Sequence, residues 1–189
     1  MALGVIILTG GASSRMGIDK AAADWNGRRA VDRLAGLAKA LGAVACVTAG
    51  PLSYGLPFAA EHPPGGGPVA GLVAAAALLR ARGCIRVLLL AVDAPTVTAA
   101  DLAALLAAES PGACFDGLRL PLVMDLAQLP SDSGRGWSMG RLAEAAGLAL
   151  LPCPAGAEHR LRGANTPSER EALLRALIAA EAAQNGGAG

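Results

Sequence analysis

An apolar run near the amino terminus changes abruptly to glycine, and this junction constrains the fold more than any other stretch. Residues 5–8 have the sequence VIIL, which predicts a buried strand, and Gly10 and Gly11 follow closely. A glycine turn at the end of a strand exposes backbone N–H groups that an anion can approach. Arg15 and Lys20 add two positive side chains, so residues 5–20 predict a phosphate-binding loop.

Helix-like and strand-like patterns alternate along the rest of the chain. Residues 29–41 carry apolar side chains at spacings of three and four, and residues 43–48 predict a second buried strand. A strand, a helix and a strand in succession imply a right-handed crossover and a parallel sheet. Four helices are predicted after these elements: one over 69–82 with Pro68 in its first turn, one over 99–108 capped by Thr98 and Asp101, a short one near 141–146 and a final one to about 184. Three strands are predicted among them: a buried strand over 86–92, a weaker one over 119–124 and one over 148–151.

This order predicts an α/β fold with a three-layer, doubly wound and mostly parallel sheet. One domain is expected over residues 1–184, followed by a disordered tail over 185–189. In open α/β sheets, ligands bind beyond the carboxyl ends of the strands, where the strand order reverses. Gly10 and Asp93 each follow a predicted strand, so we expect them to lie at one crevice.

Composition and charge exclude several classes of function. Aromatic residues make up 3% of the chain and the net charge is +1, which argues against a nucleic-acid-binding surface. The longest uncharged stretch, residues 40–60, contains glycines and prolines that interrupt a membrane-spanning helix. No basic residue precedes the first apolar segment, unlike a secretory signal, and no two cysteines have metal-ligand spacing. A cytoplasmic protein with neither a membrane nor a nucleic-acid partner is expected.

Two common phosphate-loop patterns do not match this loop. A Walker A loop ends in Gly-Lys-Ser/Thr, whereas Gly17 is followed here by Ile18. The dinucleotide fingerprint needs three glycines at fixed spacing, and the residues after Gly10 and Gly11 do not supply them. Hydride transfer with a nicotinamide cofactor is therefore not supported.

The same loop resembles a different family. Its residues match the LAGGxSxRMGxDK signature of nucleotidyltransferases at Leu8-Thr9-Gly10-Gly11, Ser13, Arg15-Met16-Gly17 and Asp19-Lys20. The resemblance is strongest to the molybdenum cofactor guanylyltransferases in the MobA-like NTP transferase family. Three later segments resemble the family's GPLAG, PCDxP and NTP motifs in the same order: GPVAGL at 67–72, VDAP at 92–95 and NTP at 165–167. The resemblance extends over residues 3–171, which is nearly the whole chain.

The resemblance implies a Rossmann-like nucleotidyltransferase fold and Mg²⁺-dependent transfer of GMP from GTP to molybdopterin, with release of pyrophosphate. It implies that Arg15, Lys20 and Asp93 are catalytic, that Asp93 is the Mg²⁺ ligand, and that Asn165 lies on the acceptor side. The implied nucleotide-binding residues are Leu8, Thr9, Gly10, Gly11, Ser13, Lys20, Ala70, Gly71 and Asp93.

Two of these residues also have a purely structural explanation. Asp93 stands two residues before Pro95, where an aspartate commonly caps a turn. Asn165 precedes Thr166 and Glu169, whose spacing is typical of a helix cap.

The chain departs from the family pattern at positions that read the base and the acceptor. Thr48 or Gly50 stands where an Asn follows the second strand, and Gly163 replaces the first Asn of an NxNTPxD motif. The remaining departures are Glu61-His62 in place of an Asp before GPLAG, and Leu120-Pro121-Leu122 in place of Gln-Pro-Leu. Two alternatives therefore stay open: a related nucleotidyltransferase that uses CTP or another small phosphorylated acceptor, and a non-catalytic paralogue that binds nucleotide or cofactor.

Overall fold

The computed structural model of the chain describes residues 2–10, 19–60 and 65–186. Strands and helices alternate along most of the sequence. The strands are β1 (Leu3–Leu8), β2 (Ala45–Gly50), β3 (Phe58–Ala60), β4 (Arg86–Ala91), β5 (Gly112–Phe115), β6 (Leu122–Asp125) and β7 (Ala149–Leu151). The helices are α1 (Ala30–Ala40), α2 (Pro68–Arg80), α3 (Ala99–Ala107), α4 (Met139–Ala145), α5 (Glu158–Arg162) and α6 (Pro167–Gly186), with a 3-10 turn at Leu126–Gln128.

The seven strands form one mixed sheet in the order β3-β2-β1-β4-β6-β5-β7. β1 is an interior strand and pairs in parallel with β2 on one side and with the central strand β4 on the other. The strand order therefore reverses between β1 and β4, and their carboxyl ends are adjacent because Leu8 pairs with Ala91. β6 runs antiparallel to both β4 and β5. The predicted doubly wound, mostly parallel sheet is confirmed.

Helices cover both faces of the sheet and bury a separate apolar cluster on each. One cluster joins Val5 and Ile7 of β1 to helices α1, α3, α5 and α6. The other joins Ile6 and Leu8 to helices α2 and α4. Successive side chains of a strand point to opposite faces, so a strand that is apolar at every position must be covered on both sides. This explains why β1 and β4 have nearly continuous apolar sequences.

Local signals located several helix starts correctly. Pro68 occupies the first turn of α2, where its missing N–H has no intrahelical partner to lose. The Thr98 side chain accepts a hydrogen bond from Asp101 N, and the Asp101 side chain accepts one from Thr98 N, which is a complete capping box. Both predictions are confirmed.

Several elements differ from the sequence-based expectation. β2 begins two residues later than predicted, and β6 covers only the second half of the predicted strand over 119–124. β3, β5 and α5 were not predicted, because they contain only three, four and five residues and carry no periodic pattern of useful length. Helix α6 continues to Gly186, two residues past its expected end, and residues 187–189 of the expected tail lie outside the described residues.

Candidate functional site

The crevice between β1 and β4 brings together two residues that the sequence predicted to be catalytic. Lys20 lies beyond the loop that follows β1, and Asp93 lies two residues after β4. Lys20 Nζ is 3.7 Å from Asp93 Oδ2, and each side chain retains about a quarter of its exposure, at 28% and 27%. The two groups therefore form an ion pair that a ligand in the crevice can reach.

Asp93 has an unusual electrostatic environment. Burial raises the pKa of its carboxyl group above the ordinary value, and the positive charge of Lys20 opposes that rise only in part. The ionised carboxylate is thus poorly solvated, and among the described residues the charge of Lys20 compensates for this only in part. A second cation beside Asp93 would relieve this deficit, so the site fits a hard divalent metal ion such as Mg²⁺, which prefers carboxylate oxygens.

A backbone segment at residues 163–164 packs against Asp93. Ala164 N donates a hydrogen bond of 2.9 Å to the Asp93 carbonyl, and Lys20 Nζ donates one of 3.4 Å to the Ala164 carbonyl. Gly163 has a φ of 73°, and a Cβ there would collide with the Asp93 carbonyl. Only glycine satisfies both the positive φ and the close approach. This segment connects the two catalytic candidates through the main chain.

Helix α5 holds that segment in place through a buried ion pair. The Arg160 guanidinium donates from Nε to Asp101 Oδ2 at 2.9 Å and from Nη2 to Asp101 Oδ1 at 2.5 Å. Asp101 is almost fully buried, with 5% of its side chain exposed, and it also caps α3. Burial tends to raise the pKa of Asp101, but the hydrogen bonds from Arg160 and Thr98 outweigh it and hold the pKa below its usual range.

The residue before Lys20 is fixed by a tyrosine that the sequence analysis did not single out. Asp19 Oδ1 accepts hydrogen bonds from Ala21 N at 2.9 Å and Ala22 N at 3.3 Å. The Tyr54 hydroxyl lies 3.0 Å from both Asp19 carboxylate oxygens. Burial, with the adjacent Asp19 charge, raises the pKa of Tyr54 to about 12. The contact between Asp19 and Tyr54 ties the turn that carries Lys20 to the loop after β2.

The end of β1 is packed tightly against the end of β2. Thr9 donates to the Ala49 carbonyl from both N, at 2.8 Å, and Oγ1, at 3.2 Å. Gly50 has a φ of 153°, and a Cβ there would come within 2.6 Å of Gly10 N. Leu8 and Thr9 are buried, so their part in any nucleotide contact falls to the main chain. This packing fixes where the loop after Gly10 begins.

The other predicted nucleotide-binding pair lies in the first turn of α2. Ala70 and Gly71 are both buried, and α2 belongs to the apolar cluster on the opposite face of the sheet from α6. Helices that cross back between parallel strands begin at the carboxyl edge of the sheet, so this turn lies at the edge where Asp93 lies. Small side chains there let a ligand approach the helix closely.

A cleft of about 450 Å³ opens beside the ion pair, on the face of the sheet covered by α6. It is lined by Lys20, Val92 and Asp93 together with residues 23–25. Ala164, Asn165 and the first turns of α6 complete the lining. Asn165 thus lies near the catalytic candidates. Its backbone N and the backbone N of Thr166 each donate a hydrogen bond of 2.8 Å to Glu169 Oε2. Asn165 therefore has both the capping contact expected from the sequence and a location at the candidate site.

Residues 5–128 match the sequence model of the MobA-like NTP transferase domain, a match that covers well over half of the chain. This chain belongs to that family. A molybdenum cofactor guanylyltransferase from Xanthomonas euvesicatoria pv. vesicatoria is 34% identical to this MobA-like chain over 122 residues. The aligned part is 64% of this chain and 63% of that protein, so somewhat less than two thirds of the relative is covered.

Solved structures resemble this MobA-like fold along its length. A nucleotidyl transferase from Methanothermobacter thermautotroptrophicus superposes with a TM-score of 0.66 and 17% identity, covering 93% of this chain and 99% of the other. Molybdopterin-guanine dinucleotide biosynthesis protein A from Archaeoglobus fulgidus gives 0.58 and 16%, covering 94% and 99%. 2-C-methyl-D-erythritol 4-phosphate cytidylyltransferase from Thermus thermophilus gives 0.63 and 17%, covering 94% and 100%. At these identities the likeness establishes the fold.

The departures from the MobA-like pattern have structural roles in this chain. Thr48 is fully buried, and its hydroxyl donates to the carbonyls of Ser53 at 3.3 Å and Pro57 at 3.4 Å, which shapes the loop after β2. Leu120, which stands where the family has Gln, is half-buried and packs against the apolar cluster of α2 and α4. Gly163 replaces an Asn side chain with a backbone contact to Asp93. Gly11, Ser13, Arg15, Glu61 and His62 lie outside the described residues.

Two features are absent from the described part of the chain. No helix in residues 2–10, 19–60 and 65–186 is long and apolar enough to cross a membrane. Within the same residues, no group of three or more His, Cys, Asp or Glu side chains could hold a metal ion by itself.

Proposed function

We propose that this MobA-like chain is a nucleotidyltransferase that moves GMP from GTP to molybdopterin, with Mg²⁺ as its cofactor and pyrophosphate as the leaving group. The observation that carries the proposal is the Lys20–Asp93 pair at the crevice where the strand order reverses. Family membership supports the reaction class. The printed name of the 34% identical relative supports guanine as the base and the molybdenum cofactor as the acceptor.

The reaction requires little covalent chemistry from the protein. A phosphate oxygen of the acceptor attacks the α-phosphorus of GTP, and a new oxygen–phosphorus bond forms. The bond from the α-phosphorus to the bridging oxygen breaks, and pyrophosphate leaves with the electron pair. The attacking phosphate is already ionised at neutral pH, so no general base is needed. Catalysis then depends on alignment and on neutralising the charge that moves toward the leaving group.

The residues have distinct roles in this proposal. Backbone N–H groups at Gly10, Gly11 and Ser13 would cradle the phosphates. Lys20 and Arg15 would neutralise the β- and γ-phosphates as charge-assisted hydrogen-bond donors. Because Lys20 Nζ also donates to the Ala164 carbonyl, its ammonium group is held in place before the substrate arrives.

Asp93 is the residue that would hold Mg²⁺, together with phosphate oxygens of GTP and water. The metal would supply Lewis-acid neutralisation of the phosphate charge. Asp93 is suited to this because its carboxylate is poorly solvated and has a single positive neighbour, Lys20, among the described residues. Its backbone carbonyl accepts a hydrogen bond from Ala164 N, which fixes the main chain from which the carboxylate extends.

Pyrophosphate release tests the proposal directly. The purified protein is incubated with Mg²⁺, molybdopterin and each nucleoside triphosphate in turn, and release is expected with GTP. Lys20→Ala should lower kcat at least about a hundredfold, as loss of one charge-stabilising group typically does. Lys39→Ala is the matched control, because Lys39 is exposed near the end of α1 and should leave the rate unchanged. Asp93→Ala should abolish release.

The two alternatives give different results in the same assay. Release with CTP, or with another phosphorylated acceptor, would identify a related nucleotidyltransferase. Retained GTP binding with no release from any nucleotide would show a non-catalytic binding protein and would contradict the proposal. A near-normal rate in Lys20→Ala would show that Lys20 has no part in the chemistry.

A further inference from the structure

Tyr54, in the loop after β2, has a backbone conformation that a bulky residue rarely adopts. Its φ is 54°, in the left-handed region, where the Cβ of an L-residue is crowded by its own main chain. The other non-glycine residue with positive φ in the described part of the chain is Asn26, and asparagine tolerates this region far better than tyrosine does. A strained conformation persists only where surrounding contacts fix it, and such residues concentrate at functional sites. The contacts of Tyr54 therefore indicate what the strained conformation supports.

Hydrogen bonds from two elements hold the loop that carries Tyr54. The Thr48 hydroxyl, in β2, donates to the Ser53 carbonyl at 3.3 Å, and Leu56 N donates to the same carbonyl at 3.0 Å. Arg29 Nη2, from the residue before α1, donates to the Tyr54 carbonyl at 3.2 Å. The main chain of Tyr54 is thus fixed from both β2 and the start of α1.

The side chain of Tyr54 contacts the turn that contains Lys20. Its hydroxyl lies 3.0 Å from each carboxylate oxygen of Asp19, to which it donates. Asp19 Oδ1 also accepts hydrogen bonds from the backbone N–H groups of Ala21 and Ala22, and these bonds close the turn around Lys20. Any displacement of the Asp19 carboxylate is therefore transmitted to the main chain that carries Lys20.

The contact with Tyr54 also engages a charge that would otherwise compete for Lys20. Asp19 is the neighbour of Lys20 in sequence, and a free carboxylate there would attract the ammonium group away from the crevice. In the described part of the chain, the salt bridge of Lys20 is to Asp93, at 3.7 Å, and its hydrogen bond is to the Ala164 carbonyl. Burial, with the charge of Asp19, raises the pKa of Tyr54 to about 12, so its hydroxyl remains a donor near neutral pH.

We propose that Tyr54 is a positioning residue for nucleotidyl transfer, and that it acts through Asp19 to hold Lys20 at the crevice. The hydroxyl of Tyr54 fixes Asp19, Asp19 fixes the turn, and the turn directs the ammonium group toward the phosphates of the nucleotide. This inference rests on the proposed nucleotidyl transfer and deepens it. It makes the lysine of the first motif dependent on a residue that none of the matched motifs includes.

Tyr54→Phe tests the role of the hydroxyl, because it keeps the ring and removes only the donor. A displacement of about 1 Å at a catalytic group lowers the rate by about a hundredfold. Asp19 keeps its two backbone hydrogen bonds in this variant, so we expect a smaller loss in kcat, about tenfold. The KM for GTP should stay nearly constant, since an interaction made in the transition state affects kcat. Leu52→Ala is the matched control in the same loop, because the Leu52 side chain is 56% exposed, and it should leave kcat unchanged.

A double-mutant cycle separates positioning from general damage. If Tyr54 acts through Lys20, then Tyr54→Phe should cost nothing further once Lys20→Ala has removed the ammonium group. The same result is expected in an Asp19→Ala background, where the hydroxyl has lost its acceptor. A structural defect would instead lower kcat by the same factor in every background. Losses that multiply would therefore overturn the positioning role.

Nuclear magnetic resonance of the lysine side chains tests the same contacts without requiring turnover. Lys20 and Lys39 are the two lysines of the sequence, so protein labelled with ε-13C lysine gives two signals, and Lys39→Arg assigns them. We expect the two Hε protons of Lys20 to be inequivalent in the parent, because the side chain is held, and to approach the averaged signal of Lys39 in Tyr54→Phe. Tyr54→Asn serves if the phenylalanine variant folds poorly, since asparagine adopts a positive φ readily and is too short to replace the tyrosine.

The outcomes distinguish this inference from the proposed function. An unchanged Lys20 signal and an unchanged kcat in Tyr54→Phe, while GTP-dependent transfer persists, would overturn the role of Tyr54 and leave the function standing. A Lys20 signal that depends on Tyr54 in a protein without any transfer would support the hold on Lys20 and contradict the function. A tenfold loss of kcat with the Lys20 signal unchanged would overturn the inference, because Tyr54 would then act by another route.

Discussion

The buried pair Arg160–Asp101 should be a major stabilising contact, and its removal gives the sharpest test of how the site is supported. Among the described residues, Arg160→Ala leaves the Asp101 carboxylate with only Thr98 N and Oγ1 as partners, at 2.9 Å each. The carboxylate has 5% of its surface exposed, so water cannot replace the lost guanidinium without rearrangement. The variant therefore retains a buried charge that has lost its counter-ion.

The magnitude follows from the burial of the two partners. Removing one partner of a fully buried pair costs about 3–5 kcal/mol. The Arg160 side chain is 31% exposed, so partial hydration in the native protein lowers the expected loss to about 2–3 kcal/mol. For a chain of this size that loss corresponds to a drop in Tm of about 4–12 °C. Arg162→Ala on the same helix removes an exposed pair with Glu158 and should cost no more than about 0.5 kcal/mol.

Urea unfolding of the wild type, Arg160→Ala, Asp101→Ala and the double variant measures the coupling between the two side chains. We expect a coupling of at least about 1 kcal/mol near pH 7. The pKa of Asp101 is lowered in the folded protein, so its contribution is complete above the unfolded-state pKa and is lost as pH falls through the folded pKa. The difference between wild type and Arg160→Ala should thus be constant from about pH 6 to 8 and shrink below about pH 4. Equal losses in Arg160→Ala and Arg162→Ala would refute this reasoning.

Three further predictions follow from contacts around Asp93 and Lys20. Gly163→Ala should be more destabilising in urea than Gly156→Ala. Both glycines have positive φ, which costs an alanine about 1–2 kcal/mol, but only at Gly163 would a Cβ strike the Asp93 backbone. Equal losses would show that the contact is not rigid. Asp93→Asn should gain stability relative to the parent as pH rises through the pKa of Asp93, since burial raises that pKa and ionisation therefore favours the unfolded chain. Thermal melts of both proteins across pH measure this, and a parent whose stability rose relative to that of Asp93→Asn over that range would contradict it. Tyr54 is the one tyrosine of the sequence, so absorbance at 295 nm reports its ionisation alone. The Tyr54 hydroxyl should remain protonated near pH 10, where an ordinary tyrosine is half ionised. Asp19→Asn should lower the pKa of Tyr54 from about 12. Half-ionisation near pH 10 in the folded protein would exclude the Asp19 contact.

The parts of the fold that were predictable are those with local signals. The continuous apolar sequence of β4 could be recognised because both faces of the strand are covered, and the cap at Thr98 involves residues three apart. β5 could not be recognised, since its four residues begin at Gly112, where the chain passes so close to the Val123 carbonyl that a side chain would collide with it. Such a constraint comes from a neighbouring strand, not from the local sequence.

The site divides along the same lines. That Asp93 and the turn carrying Lys20 meet was predictable, because parallel neighbours end at the same edge of a sheet. The contacts of Tyr54 with Asp19 and of Arg160 with Asp101 join distant parts of the chain, and neither pair has a spacing that a local pattern would reveal. A single sequence thus indicates which edge binds a ligand, whereas the residues that support it emerge only once the chain is folded.

The pairing of β1 with β4 has a consequence for how the protein acquires its site. Each of the six paired positions joins residues about eighty apart in sequence, from Leu3 with Arg86 to Leu8 with Ala91. Closing a loop of that length costs chain entropy before the new contacts repay it, and folding rates fall as such distant pairings become more important. During synthesis, β1 must wait for the whole first half of the chain to emerge before its central partner exists. The crevice is therefore expected to form late and all at once, so a folding intermediate that lacks β4 would have no Lys20–Asp93 pair.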